Sequence, residues 1–162
     1  MTERPIVVMG VAGSGKTVVG QALAARLGRR FVDADDLHPA ANVEKMRRGE
    51  PLNDDDRAPW LDTVGATLAE PSAPVVACSA LKRAYRDRLR AAAPGLRFVH
   101  LHGDRALIAD RMAAREDHFM PLSLLDDQLS TLEPLDDDEA AVVVRIDQPV
   151  DAIVDEAAAR LG

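Results

Sequence analysis

The string Gly10-Val11-Ala12-Gly13-Ser14-Gly15-Lys16-Thr17 fits G-x-x-x-x-G-K-[ST] at every fixed position, and no other feature narrows the possible folds so far. Its surroundings fit too. Residues 5–10 form an apolar run that reads as a short buried strand. Lys16–Leu27 reads as a helix, with Val19, Leu23 and Leu27 at i, i+4 spacing and Gly28 as its stop. Glycines in such a turn allow backbone angles that point N–H groups inward around an anion. The helix N-terminus adds partial positive charge at the same place. Lys16 can reach the β- and γ-phosphates of a nucleotide, and Thr17 can hold Mg²⁺. Residues 10–17 are therefore expected to cradle a nucleotide triphosphate.

Further apolar runs alternate with amphipathic stretches. Strands are expected at 30–33, 74–79, 96–102 and 141–146, and helices at 81–92, 104–115 and 149–161, with Pro149 at the first helical position. Leu81, Tyr85 and Leu89 would share one helical stripe. Strands separated by helices imply βαβ units and a parallel sheet. The expected fold is a three-layer α/β domain, a five-stranded parallel sheet with helices on both faces. At 162 residues the chain is read as one domain. Two segments break the rhythm: a polar, Pro-rich helical insert at 35–70 and a stretch at 115–138. Ligands of open α/β sheets bind beyond the carboxyl ends of the strands, so these are read as substrate-binding insert and lid.

Composition removes several function classes. Net charge is −7, from 20 basic and 27 acidic residues, which argues against a nucleic-acid binder. One cysteine, Cys78, excludes a disulfide framework and a cysteine-rich zinc site; it is read as a small buried hydrophobe. No apolar run approaches the roughly 20 residues a membrane span needs, and no signal peptide is read, so a cytoplasmic protein is expected. Lys16, Lys45 and Lys82 are the only lysines among 20 basic residues, and a compact ammonium is not interchangeable with an Arg fork. A GTPase switch would need D-x-x-G at a strand end and an N-K-x-D base reader. Asp62-Thr63-Val64-Gly65 matches the first string only inside an amphipathic stretch, and the second is absent. A small phosphotransferase remains.

Asp33 and Asp35 end the second strand, beside the phosphate loop. Alternation along an extended chain puts both side chains on one side, where one can serve Mg²⁺ and the other an acceptor hydroxyl; the alternative is helix capping by Asp35 and Asp36. The insert then carries DADDLHP, NVEKM, GEPLNDDDR and PWL, and Cys78-Ser-Ala-Leu-Lys-Arg-Ala-Tyr-Arg-Asp87 follows the third strand. His118-Phe-Met-Pro121 with Leu124, Leu125 and Gln128 lies in the lid region, and Ile146-Asp-Gln-Pro149 ends the last strand. In order and spacing these strings resemble the gluconokinase family of small P-loop sugar-acid kinases, over essentially the whole chain. Ala34 and Asp127 stand where many members have Gly and Ser.

The resemblance implies ATP-dependent phosphorylation of D-gluconate to 6-phosphogluconate with Mg²⁺, an architecture shared with shikimate and adenylate kinases, and a cytoplasmic homodimer. Asp35 is then the expected base, and Lys16 and Arg115 the phosphate-neutralising cations. Arg111 is assigned to ATP, and Thr17 and Asp33 to the metal. A sugar acid needs a cation for its carboxylate and polar partners for its hydroxyls. Arg57 offers a carboxylate fork and by resemblance to shikimate kinases holds the acid; the alternative is an ion pair with neighbouring acids. His38, Asn42, Lys45, Lys82 and His118 are the remaining substrate candidates, with local capping the alternative for both histidines. Arg111 and Arg115 repel at i, i+4 unless they share an anion; Arg86 and Arg90 have the same spacing but do not enter the lid. Trp60 is read as a core anchor and Asp136–Glu139 as a solvated loop. Rival functions are a kinase for another small acid, such as shikimate, and a regulatory module that binds ATP without turnover.

Overall fold

The strand β1 (Ile6–Met9) is buried along its whole length, as a β-branched run covered on both faces must be. A computed structural model describes residues 4–114 and 122–162. In it β1 is the middle of a five-stranded sheet with β2 (Phe31–Asp33), β3 (Val75–Ala77), β4 (Arg97–His102) and β5 (Ala141–Arg145), in the order β2-β3-β1-β4-β5. All pairings are parallel, with Val7 opposite Val76 on one side and Phe98 on the other. β3 thus separates β2 from β1 in the sheet, while the carboxyl end of β2 still adjoins the phosphate loop, as expected, through the Thr17–Asp33 hydrogen bond.

Strand alternation divides the core. Ile6 and Val8 face a cluster with Val19 and Leu23 of α1 (Lys16–Leu27), Ile108 of α5 (Arg105–Ala113), Leu125 of α6 (Leu122–Thr131) and Ile153 of α7 (Val150–Leu161). Val7 and Met9 face the other layer, with Trp60 and Val64 of α3 (Asp54–Leu68) and Leu89 of α4 (Arg83–Ala92). The insert contributes α2 (Ala40–Arg47) as well as α3. Asp62–Gly65 lies within α3, with Asp62 paired to Arg88, so it is no switch loop. α4 starts at Arg83, two residues later than expected, leaving Leu81 and Lys82 in the approach to the helix. Pro149 is the residue before α7, with extended backbone (ψ 154°), rather than its first helical residue. Among the described residues, no helix is long and apolar enough to cross a membrane.

The segment 136–139 is solvated at Asp136, Asp137 and Asp138, as expected, but not at its last residue. Glu139 is fully buried, and so is Arg86. Arg86 Nε and Nη2 donate to the two Glu139 carboxylate oxygens at 2.7 and 3.1 Å, and Arg90 Nη2 reaches Oε1 at 2.8 Å. The remaining Arg86 donors go to the carbonyls of Ala80, Leu81 and Glu133. Arg86 and Arg90, at i, i+4 spacing, thus share the Glu139 carboxylate. Burial pushes the Glu139 carboxyl up, but hydrogen bonds from Arg86, the Asp136 N–H and Arg90 outweigh it and hold the group at about 2.

Removing one partner of a buried pair strands the other charge, so Glu139→Gln should destabilise the fold by about 3–5 kcal/mol in urea unfolding. A depressed carboxylate stabilises above its unfolded pKa, here 4.5, and loses that stabilisation as pH falls toward about 2. The gap between wild type and Glu139→Gln should therefore close between those values.

Candidate active site

At the carboxyl end of β1 the chain turns through residues 10–15 into α1. Gly13 (φ 80°) and Gly15 (φ 93°) take left-handed backbone angles that cost other residues about 1–2 kcal/mol. A Cβ on Gly13 would also lie 2.7 Å from Met112 Cγ. Gly15 precedes α1 and supplies no side-chain cap, so the first amides of that helix keep their capacity for an anion. Lys16 Nζ donates to the Val11 carbonyl at 3.2 Å. Gly10, Val11 and Ser14 are buried beneath the loop, while Ala12, Gly13, Gly15, Lys16 and Thr17 line a cavity of about 220 Å³.

Asp33 and Asp35 line the same cavity, but not through strand alternation. β2 ends at Asp33, and residues 34–37 form a 3₁₀ turn. Asp33 itself caps that turn: its Oδ1 accepts from the Asp35 N–H at 3.0 Å, while its Oδ2 accepts from Thr17 Oγ1 at 3.3 Å. Capping thus falls to Asp33 rather than to Asp35 or Asp36. One hydroxyl and one carboxylate suit Mg²⁺, which takes few protein oxygens together with phosphate oxygens and water. Burial, reinforced by the Asp33 charge, raises the pKa of Asp35 above its ordinary 3.8 against the opposing pull of Lys16 and His38.

Trp60 anchors the core as expected and does more. Its indole N–H donates to the Ala34 carbonyl at 2.7 Å, fixing the turn between the two acids. The His38 ring stacks on it, with centroids 4.3 Å apart and planes 13° from parallel. Asn42 and Lys45 have partners within the chain: Asn42 Nδ2 lies 3.2 Å from His38 Nδ1 and donates to the Asp56 carbonyl, and Lys45 pairs with the Asp56 carboxylate at 2.6 Å. Both therefore join α2 to the start of α3. Arg57 donates to Tyr85 Oη at 3.3 Å and lies 3.9 Å from Asp54. Lys82 lies 3.6 Å from the same Asp54 oxygen. Arg111 donates to the Ile146 carbonyl at 2.5 Å, beyond β5. Arg115 and His118 lie outside the described residues.

Gln128, noted in the sequence only as part of a string, reaches the phosphate loop: its Oε1 accepts from the Ala12 N–H at 2.6 Å. Ser79 and Cys78 also line the cavity. Burial pushes the Cys78 thiol up to about 12, which makes it a poor nucleophile. Tyr85 and Asp54 were likewise missed as site residues, since only the meeting of α3 and α4 brings them beside Arg57.

A parallel sheet of this order with a phosphate loop after β1 defines the P-loop kinase fold. A family model described as AAA domain matches residues 6–135. The shikimate kinase of Bacteroides thetaiotaomicron shares the fold at a TM-score of 0.67 and 15% identity over 98% of each chain. Closer relatives narrow the class. The gluconokinase of Gluconobacter oxydans is 48% identical over 96% of this chain and 90% of its own length. The thermoresistant gluconokinase of Escherichia coli is 46% identical over 91% of this chain and 87% of its own. The crystal structure of a gluconokinase from Sinorhizobium meliloti superposes at a TM-score of 0.92, with 52% identity over 99% of this chain and 92% of that one. The chain belongs to the gluconokinase family.

Burial lowers the pKa of His38 from its ordinary 6.5, with Asp35 opposing and Arg57 reinforcing the shift. Trp60 is the only tryptophan, so its emission reports on the stacked ring. Fluorescence intensity should titrate with a midpoint below 6.5, and the transition should vanish in His38→Gln.

Proposed function

We propose that this chain transfers the γ-phosphoryl group of ATP to the C6 hydroxyl of D-gluconate, giving 6-phospho-D-gluconate and ADP. The observation that carries the reading is that Asp35, a carboxyl of raised basicity, faces the cavity that Lys16 and the phosphate loop also line. Behind Asp35, a polar track continues through His38 to Arg57, whose charge bears on His38. A linear acid then has a place for a hydroxyl at one end and for a carboxylate at the other.

In the reaction the C6 oxygen attacks the γ-phosphorus, the bond to the β–γ bridging oxygen breaks, and the hydroxyl proton passes to Asp35. The transition state is loose, so positioning and charge supply most of the rate. Lys16 and the loop amides hold the phosphate oxygens, and Asp33 and Thr17 hold Mg²⁺, which supplies charge neutralisation. The segment 35–70 forms the substrate side. By resemblance to the family, 115–138 serves as lid, with Arg115 on the transferring phosphate, Arg111 on ATP and His118 beside the substrate; a cytoplasmic homodimer belongs to the same reading.

The test is ADP formation from ATP and Mg²⁺ across a panel of sugar acids and shikimate. D-gluconate should be the preferred acceptor; turnover of another acid alone would remove the substrate assignment and keep the kinase. Arg57→Ala should raise KM for gluconate by a factor equivalent to roughly 1.5–3 kcal/mol, the range for a charge-assisted hydrogen bond, with KM for ATP little changed. Asp35→Asn should lower kcat by about 10²–10⁴, as for loss of a general base. In wild type the acid limb of kcat/KM should fall with an apparent pKa above 3.8, because Asp35 accepts a proton only when ionised and its pKa is raised.

A further inference from the structure

Asp54 is the first residue of α3, yet its carboxylate is not in the helix cap, which Asn53 and Asp56 form between them. It faces the start of α4 instead. Its Oδ1 accepts a 2.6 Å hydrogen bond from Tyr85 Oη and lies 3.6 Å from Lys82 Nζ and 3.9 Å from Arg57 Nη1. Both cations also lie over the Tyr85 ring, at 5.5 and 5.6 Å from its centroid. A guanidinium from α3, a phenol from α4 and an ammonium from the residue before α4 thus converge on one carboxylate oxygen. The chain's own acid demonstrates that this trio receives a carboxylate.

Exposure separates the receptor from its occupant. The side chains of Arg57 and Lys82 are 31% and 35% exposed, that of Asp54 68%. The donors are held half-buried between α3 and α4, whereas Asp54 reaches them from the solvent side and can turn away by a side-chain rotation. The Tyr85 hydrogen bond, followed by the Lys82 charge, holds its pKa below the ordinary 3.8, so it is ionised at neutral pH.

We propose that Asp54 is a placeholder for the substrate's carboxylate: it neutralises the Arg57–Lys82–Tyr85 receptor in the free protein, and a bound aldonate displaces it and takes over the Tyr85 hydrogen bond. The proposal rests on the assignment of Arg57 to the carboxylate of the substrate. A placeholder keeps two cations from facing each other without an anion. It also lowers apparent affinity by the fraction of time it is seated. A neutral polyol, having no charge to exchange for that of Asp54, is rejected on the same account.

Steady-state kinetics with D-gluconate test this. Asp54→Asn keeps an acceptor for Tyr85 but loses the charge, so KM for gluconate should fall about three- to tenfold, as for a competitor seated roughly 70–90% of the time, while KM for ATP stays unchanged. In the Asp54→Asn background, where no internal carboxylate competes, adding Tyr85→Phe should raise KM for gluconate by a similar factor, because the substrate alone then loses the Tyr85 hydroxyl. The rise in Tm on adding gluconate should be larger in Asp54→Asn than in wild type, a comparison internal to each protein that a change in basal stability does not imitate. An unchanged or raised KM in Asp54→Asn, no rise in KM when Tyr85→Phe is added to Asp54→Asn, or an equal or smaller rise in Tm overturns the proposal. Failure of the underlying assignment looks different: wild type then shows no gluconate turnover, or Arg57→Ala keeps its KM.

Discussion

Arg86 places a full positive charge where solvent does not reach, and much of the working edge of the sheet hangs from how that charge is satisfied. Its fork closes on Glu139, and its other donors go to the carbonyls of Ala80, Leu81 and Glu133. Three segments distant in the chain are thereby fixed to one guanidinium: the exit from β3, the residues just past α6, and the entry to β5. An apolar pair of equal volume can match a buried ion pair in stability. It would leave the carbonyls of Ala80 and Glu133 without the Arg86 donors, at about 1–3 kcal/mol each if they stayed buried. Anchored in this way, α6 lies where Gln128 can accept from Ala12 in the phosphate loop.

At the other side of the loop, hydrogen bonding separates two acids that look equivalent on paper. Both oxygens of Asp33 are engaged, one by Thr17 and one by the Asp35 amide. Asp33 is thus held as an oxygen donor beside α1. Asp35 is pushed toward higher basicity by burial and by the charge of Asp33. A carboxylate nearer neutrality is the better proton acceptor, so these environments support the proposed division of labour. Trp60 makes the division durable, because its bond to Ala34 fixes the turn between them.

Much of the fold was legible because its signals are local. The bounds of α1 agree with the apolar spacing and with Gly28, and strand cores fall within the expected runs. The phosphate loop was legible for the same reason, since its glycines meet backbone demands set within a few bonds. Asp33 and Asp35 were rightly grouped, but for the wrong reason: the 3₁₀ turn, not strand alternation, brings them to one cavity. Pro149 illustrates how narrow the margin is, since a fixed φ suits the residue before a helix as well as the first residue within it.

The sequence by itself determined the chemistry at one end of the site: a strand, a glycine turn and a lysine-bearing helix, whose geometry follows from near neighbours. Only the tertiary structure decided which charges are buried and what they face. Four successive acids at 136–139 read as solvated until Arg86, 53 residues from Glu139, closes over the last of them. Gln128 meets the phosphate loop across 116 residues, and Asp54 meets Tyr85 across 31. Periodicity and turn angles are set by atoms a few bonds away. The free energy of a charge is set by whatever the folded chain places around it, and no local pattern encodes that.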